Sequence, residues 1–195
     1  MTLKQTPSQT VGPYFAYGLC PEQYIFDLKS LFTPTLAEHE AAGEHITIVG
    51  QVFDGNGAVI GDAMLEFSQV DSQGNYPASR AEATKSGFHG FARVGTGTDP
   101  HKRFVVETVK PAATAEDAAP HINVIVLMRG MLLHTYTRLY FEDEAAANER
   151  DAVLASVPAE RRLTLIAKRE KHAGSTVYRF DVHMQGDNET VFFDL

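Results

Sequence analysis

A histidine and an asparagine stand two residues apart at the head of the longest apolar run in the sequence. His121 and Asn123 open this segment, residues 124–128 are all apolar, and nothing from 122 to 128 is charged. Side chains two apart on a strand share a face, so a His-x-His pair here would offer two imidazoles to one metal ion. The amide of Asn123 is a poor transition-metal ligand compared with imidazole. The pattern indicates either a metal-site strand with one ligand missing or a central hairpin whose polar ends meet solvent.

A charged residue, Arg129, ends this apolar strand and precedes the turn at Gly130. An exposed arginine at a strand end is common and needs no function. Guanidinium is also the side chain that binds a carboxylate through two parallel N–H bonds, in a geometry that lysine does not copy. Arg129 is therefore the candidate anchor for a carboxylate ligand.

Other catalytic signatures are missing from the sequence. It contains no Gly-x-Ser-x-Gly motif and no Gly-x-x-x-x-Gly-Lys phosphate loop. The single cysteine, Cys20, permits no internal disulfide and no CxxC motif. The eight histidines include no His-x-His pair and no pair at i, i+4. We therefore expect that this chain does not build a complete metal site alone.

Composition narrows the class of protein. The chain has 195 residues and is 44% hydrophobic, which suits one domain with a full core. Its formal net charge of −8 argues against nucleic-acid binding, which needs basic clusters. No apolar stretch approaches the ~18 residues of a membrane span, and the first residues lack the apolar core of a secretory signal. Together with the lone cysteine, these features predict a cytoplasmic protein.

Short strands dominate the second part of the chain. Residues 103–109 form a clear strand, and nothing from 122 to 128 is charged, which predicts a strand buried on both faces. Residues 163–168 and 176–183 alternate around a turn and predict a hairpin, and residues 191–193 predict a last strand. Many short strands with Gly-rich turns favour an all-β fold, an antiparallel β-sandwich.

Few helices are expected, and residues 1–20 show no hydrophobic periodicity of either a helix or a strand. Residues 142–149 and 151–156 favour short helices, and residues 35–42 favour one more. Residues 1–20 predict an extended N-terminal arm, because prolines and a glycine break any helix while several large apolar residues need a surface to lie on. We therefore predict a single domain, residues 1–195, with this arm and a sandwich body over residues 45–195.

Six motifs occur in order from one end of the chain to the other. They are Thr-Pro-Ser-Gln-Thr-Val-Gly-Pro-Tyr at 6–14, Gly-Gln-Val-Phe-Asp-Gly-Asn-Gly at 50–57, Thr-Val-Lys-Pro at 108–111, Pro-His-Ile-Asn at 120–123, Thr-Arg-Leu-Tyr-Phe-Glu-Asp at 137–143, and Gly-Asp-Asn-Glu-Thr-Val-Phe-Phe-Asp at 186–194. With these motifs the sequence resembles the intradiol ring-cleaving dioxygenases. The resemblance is carried by the order and completeness of the set rather than by any one motif.

The resemblance has a consequence for metal binding. Iron-bearing chains of the family hold a ferric ion with two Tyr and two His, one Tyr in the loop after Lys-Pro and the two His as Ala-His-Ile-His. This sequence has no Tyr between Pro111 and Pro120, keeps His121, and replaces the second His by Asn123. Tyr76 lies near the remaining Tyr position, but its surroundings match poorly. The resemblance thus implies a pocket without metal, with His121 and Asn123 as vestigial positions.

The resemblance also implies a role in a two-chain enzyme. This chain is similar to the non-iron alpha chain, and its partner, the beta chain, holds Fe(III) and binds the substrate 3,4-dihydroxybenzoate. The ring opens between its hydroxylated carbons with O₂ to give 3-carboxy-cis,cis-muconate, and the isolated alpha chain is inactive. In this comparison Arg129 points toward the substrate carboxylate. The pocket-lining arm residues are Thr10, Gly12, Pro13 and Tyr14.

Two alternatives from other classes stay open at this point. One is a self-sufficient catechol-type dioxygenase that binds iron itself, which the missing ligands oppose. The other is a non-catalytic β-sandwich that serves only as a scaffold or carries a ligand. The iron content of the isolated chain decides the first, and the identity of the protein that co-purifies with this chain decides the second.

Overall fold

The computed structural model describes residues 4, 7, 9–12, 14–172 and 174–194, with only the backbone of residues 171 and 172. Pro13, one of the predicted pocket residues, lies outside this range. The described part of the chain contains nine strands and short helices. The strands are β1 (His45–Phe53), β2 (Met64–Ser68), β3 (Phe91–Gly95), β4 (Arg103–Val109), β5 (His121–Leu127), β6 (Thr135–Phe141), β7 (Ile166–His172), β8 (Ser175–Arg179) and β9 (Val182–His183).

The strands form one sheet that folds over a shared core. Its order is β3-β2-β5-β6-β7-β8-β1-β4, with β9 beside β1, and the end strands β3 and β4 contact each other, so the sheet is nearly closed. Buried side chains from both halves meet inside, among them Ile48, Phe67, Phe104, Val124 and Leu139. The predicted all-β, sandwich-like fold is confirmed.

The pairing is mixed rather than purely antiparallel. Strand β1 runs parallel to β8 and β9, and β6 runs parallel to β7, whereas the other pairings are antiparallel. Backbones approach closely beside β1: a Cβ added at Gly50 would stand 1.8 Å from the carbonyl oxygen of Phe180. Only glycine fits there. Alternation in a sequence gives the two faces of a strand but not the direction of its neighbour, which is why these parallel pairs were not foreseen.

Strand β5 is not buried on both faces, so that prediction is wrong. Its burial alternates: Ile122, Val124 and Val126 are fully buried, while the side chains between them are half-buried on the outer face of the sheet. The outer positions still carry apolar residues because the N-terminal segment covers part of this face. Leu127, for example, packs with the cluster of Ala16, Cys20 and Met64.

The helices fit the expectations in part. Two predicted helices are present as α3 (Ala145–Asn148) and α4 (Ala152–Ser156). A helix α2 (Arg80–Ser86) was missed, although Ser79 caps it and Gly87, at φ 71°, ends it. Two 3₁₀ turns, Glu142–Glu144 and Arg162–Leu165, flank these elements. None of the helices in the described part of the chain is long and apolar enough to cross a membrane.

Three local predictions fail. Residues 35–42 form two isolated bridges and a turn rather than a helix, since Thr35 pairs with Glu107 and Ala37 with Phe88. The predicted arm is not extended throughout, since residues 15–19 form a short helix, α1 (Phe15–Leu19). The predicted last strand, 191–193, is a single bridge between Phe193 and Tyr136.

A buried carboxylate joins the start of β5 to the helix α4. Asp151 is 1% exposed and accepts three hydrogen bonds. One oxygen accepts from the Leu154 amide at 2.7 Å and the Tyr140 hydroxyl at 3.0 Å, and the other accepts from the Ala119 amide at 2.8 Å. Asp151 is therefore both the N-cap of α4 and the support for the residues that lead into β5.

Replacing this carboxylate should destabilise the protein. Asp151→Ala removes the cap and leaves the Ala119 amide and the Tyr140 hydroxyl buried without a partner, a loss of about 2–4 kcal/mol in the free energy of unfolding. Urea denaturation followed by circular dichroism measures it. Asp187→Ala, at an exposed position, is the matched control and should change stability little. Equal midpoints for the two variants would contradict the role given to Asp151.

Candidate functional site

The guanidinium of Arg129 stands at the exposed end of β5. Its side chain is 60% exposed, and its Nε donates to the carboxylate of Asp62, which lies just before β2. Gly130 follows with a φ of 90°, a conformation that side chains other than glycine rarely adopt. The contact at Nε fixes one edge of the guanidinium, and the Nη groups have no hydrogen bond to any described residue. These are the donors that a carboxylate would use.

One predicted arm residue contacts this turn. The hydroxyl oxygen of Thr10 accepts a hydrogen bond from the Gly130 amide at 3.0 Å, across 120 residues of sequence. The structure thus brings Thr10 beside Arg129. This contact ties the start of the chain to the end of β5.

The other arm residues lie next to this contact but bond elsewhere. Gly12 is exposed, has open space around its Cα, and accepts a hydrogen bond from the Phe15 amide at 3.1 Å. Tyr14 is 78% exposed, and its ring meets the ring of Tyr17 edge-on at 5.9 Å between centroids. The described contacts therefore connect Thr10, but not Tyr14, to the Arg129–Gly130 turn.

His121 and Asn123 lie on the same, outer face of β5, as their spacing predicted. The Nδ1 of His121 lies 2.9 Å from the Ala119 carbonyl oxygen, so this nitrogen carries the proton. Burial lowers the pKa of His121, which keeps the imidazole neutral near pH 7. The amide oxygen of Asn123 accepts a hydrogen bond from the Tyr136 hydroxyl.

These residues do not fit a ferric ion. In the family that the sequence resembles, ferric iron is held by imidazole and tyrosinate, whereas Asn123 offers a neutral amide oxygen that already accepts a hydrogen bond from Tyr136. Over residues 14–172 and 174–194 and the described arm positions, no group of three or more His, Cys, Asp or Glu is placed to hold a metal ion. Tyr76 is 55% exposed in the segment after β2.

Sequence reasoning missed two polar residues beside the pair. Strand β6 runs antiparallel to β5, with Arg138 opposite Asn123 and Tyr136 opposite Ile125. The Nε of Arg138 lies 3.4 Å from the Tyr136 hydroxyl oxygen. The signal was present, because the motif at 137–143 places a charged residue within an apolar strand. The pairing register needed to place that charge beside Asn123 was not readable from the sequence.

Comparisons with known proteins agree on the class of protein. Residues 29–186 match the family described as Dioxygenase. The chain is 70% identical over 195 residues to the protocatechuate 3,4-dioxygenase alpha chain of Burkholderia cepacia, covering 100% of this chain and 99% of that one. It is 43% identical over 205 aligned positions to the alpha chain of the same name from Pseudomonas putida, covering 98% and 97%.

Solved structures share the fold at low identity. The dioxygenase domain of a carbohydrate-binding fusion protein from Streptomyces sp. SirexAA-E superposes with a TM-score of 0.62 at 22% identity, over 96% of this chain and 100% of that one. Catechol 1,2-dioxygenase from Acinetobacter sp. ADP1 gives a TM-score of 0.59 at 15% identity, over 76% and 55%. At such identities these structures speak for the fold only.

The one cysteine should be inert in the folded protein. Cys20 is 2% exposed, and burial raises the pKa of its thiol to about 11, so almost no thiolate is present at pH 8. Iodoacetamide at pH 8 should leave native Cys20 unmodified and should alkylate it fully in urea, as read by intact mass. Rapid alkylation of the native protein would show that the thiol is accessible and would contradict this packing.

Proposed function

The chain belongs to the intradiol dioxygenase family, as an alpha chain of the protocatechuate 3,4-dioxygenase type, and we propose that it forms one wall of a substrate pocket completed by an iron-bearing beta chain. The members of this family are oxidoreductases. The proposed reaction converts 3,4-dihydroxybenzoate and O₂ to 3-carboxy-cis,cis-muconate, with the ring opened between its two hydroxylated carbons. Both oxygen atoms enter the product, which balances the reaction.

The observation that carries this role is the state of Arg129. Its guanidinium is a cation at the surface, held at Nε by Asp62, with its outer donors free of other hydrogen bonds from described residues. A ligand carboxylate can bind at those donors in the bidentate geometry typical of arginine. The ligand would then be held by the end of its ring that carries the carboxylate, with the hydroxylated carbons directed away from this chain.

The arm supports the same role. The bond from the Gly130 amide to Thr10 holds the arm against the turn that follows Arg129, which supports a position for residues 10–12 in the pocket wall. Gly12 adds no side chain there, so a flat ring can lie close to the backbone. Pro13 and Tyr14 follow directly in the sequence and complete the proposed wall, with Pro13 proposed from the sequence alone.

The iron is assigned to the partner because the donors in this chain do not fit it. Asn123 stands where an imidazole is needed, and no Tyr occurs between Pro111 and Pro120. The ring-opening chemistry is therefore assigned to the beta chain. The part proposed for this chain is to bind the carboxylate, orient the ring and form the assembly surface.

Removing the proposed anchor should weaken substrate binding and leave iron in place. A charge-assisted contact of this kind contributes on the order of 1.5–3 kcal/mol, so in Arg129→Ala the KM for 3,4-dihydroxybenzoate should rise roughly ten- to a hundredfold. Catechol has no carboxylate and should be affected much less. Arg129→Lys should recover only part of the loss, because lysine offers a point charge rather than a fork.

The measurement is steady-state kinetics of the assembled enzyme on both substrates, with iron content determined in parallel. Arg103→Ala is the matched control, since Arg103 is also exposed and also pairs with one aspartate, Asp99. Equal losses for 3,4-dihydroxybenzoate and catechol would remove the anchor role. Loss of iron in Arg129→Ala would make Arg129 a residue of the subunit interface instead.

The chain produced without its partner should carry no stoichiometric ferric iron. Co-production with the beta chain should give a complex with about one iron per pair of chains and a visible tyrosinate-to-iron absorption band, a band that requires tyrosinate at the metal. Metal analysis and an absorption spectrum of both preparations make the test. One iron per chain with that band in the lone alpha chain would support the self-sufficient dioxygenase and refute this assignment.

A further inference from the structure

A second cationic group lies on the outer face of the sheet, far from Arg129. Arg138 stands directly opposite Asn123 in the β5–β6 register, and directly opposite residues of an antiparallel pair present their side chains to the same face. Four residues of strand separate Asn123 from Leu127, or about 13 Å at ~3.3 Å per residue, and Arg129 lies two residues further on, in the turn. The two guanidinium groups therefore stand at different places along this strand.

The charge of Arg138 has no carboxylate partner among the described residues. The described ion pairs, with N to O distances up to 4.0 Å, include none that involves Arg138, although its side chain is half-buried. Its Nε donates to the phenol oxygen of Tyr136 at 3.4 Å. The Tyr136 phenol donates its own proton to Asn123. Most of the guanidinium N–H donors thus stay available.

The charged groups around Arg138 leave its charge uncompensated. Asp151, the nearest anionic group in the network, is buried behind Tyr140 and already accepts three hydrogen bonds. Glu66 of β2 belongs to the same face but is taken by Arg93, whose Nη2 lies 2.6 Å from it. A half-buried guanidinium with no anion is costly. Within a chain of net charge −8, this positive spot is suited to an anionic ligand.

The residues around Arg138 indicate which other groups a ligand at this site would carry. Nδ1 of His121 donates to the Ala119 carbonyl, so Nε2 of the neutral ring is an acceptor that can receive a hydroxyl proton. The oxygen of Asn123 is bonded to Tyr136, so its amide nitrogen is a free donor on the same face. The half-buried rings of His121 and Tyr136 supply aromatic surface.

We propose that Arg138, Asn123, His121 and Tyr136 form a binding site for a small aromatic carboxylate that carries a hydroxyl group. The guanidinium of Arg138 and the amide of Asn123 hold the carboxylate, and His121 accepts the hydroxyl proton. The site binds without chemistry, because none of these residues provides a nucleophile or a redox centre. It would therefore hold a ligand of the hydroxybenzoate class on a chain that does not itself transform it.

The test is to count bound ligands on the assembled enzyme. The probe is 4-hydroxybenzoate, which has one hydroxyl and is not an intradiol substrate, titrated by isothermal calorimetry. The wild-type enzyme should bind two per pair of chains. Arg138→Gln should bind one, or should weaken one of the two sites at least tenfold, while the site sensitive to Arg129→Ala remains. Arg103→Gln, at an exposed and paired arginine, is the matched control and should keep both sites.

Further measurements show whether the carboxylate bound by Arg138 belongs to a small ligand or to the partner chain. Benzoate should bind the Arg138 site several-fold more weakly than 4-hydroxybenzoate, because it gives His121 no proton to accept. One site per pair in the wild-type enzyme, unaffected by Arg138→Gln, would overturn the proposal and would indicate a partner-chain carboxylate on Arg138. Near-ultraviolet circular dichroism of Arg138→Gln shows whether the fold is kept. If it is lost, His121→Phe, which removes only the acceptor, should still abolish the preference for 4-hydroxybenzoate over benzoate.

Discussion

Side chains along β5 point alternately into the core and out of it, and the inward ones fix this alternation. It decides where the candidate groups on and after this strand lie. Ile122, Val124 and Val126 are fully buried, so the strand cannot slip by one residue without exposing all three. This constraint places His121 and Asn123 on the outer face. It also ends the strand so that Arg129 stands at its open end. The positions of these polar groups therefore follow from the packing of the apolar side chains on the opposite face of the same strand.

Neighbouring strands then determine what each outward group can bind. Strand β6 places Arg138 beside Asn123, and the segment before β2 places Asp62 beside Arg129. Strand β6 thus adds a guanidinium group to the polar face of β5. Asp62, by contrast, fixes one edge of the Arg129 guanidinium. Two arginines near one strand thus acquire different surroundings: Arg129 is exposed and paired with Asp62, whereas Arg138 is half-buried and bonded to the Tyr136 phenol.

The sequence predicted β4 and the hairpin of β7 and β8 where apolar residues alternate, although residues 163–165 of the first hairpin strand form a 3₁₀ turn and β7 runs on to His172. It misjudged β5, because an apolar outer residue such as Leu127 looks the same whether a second sheet or a short N-terminal segment covers it. The contact of Thr10 with Gly130 joins residues 120 apart, and no local pattern encodes such a distance. Arg129 was found because a charge ends an apolar run. Arg138 was missed because its significance lies in the residue across the strand.

The parallel pairing of β1 with β8 has a consequence for how the chain is made. Residues 46–49 pair with residues 176–179, so this side of β1 has no neighbour until residues 176–179 have left the ribosome. Contacts between such distant parts of a chain slow folding, and an unpaired strand edge invites association with other chains. The position of one strand in the sheet therefore sets how long this edge stays unpaired during synthesis.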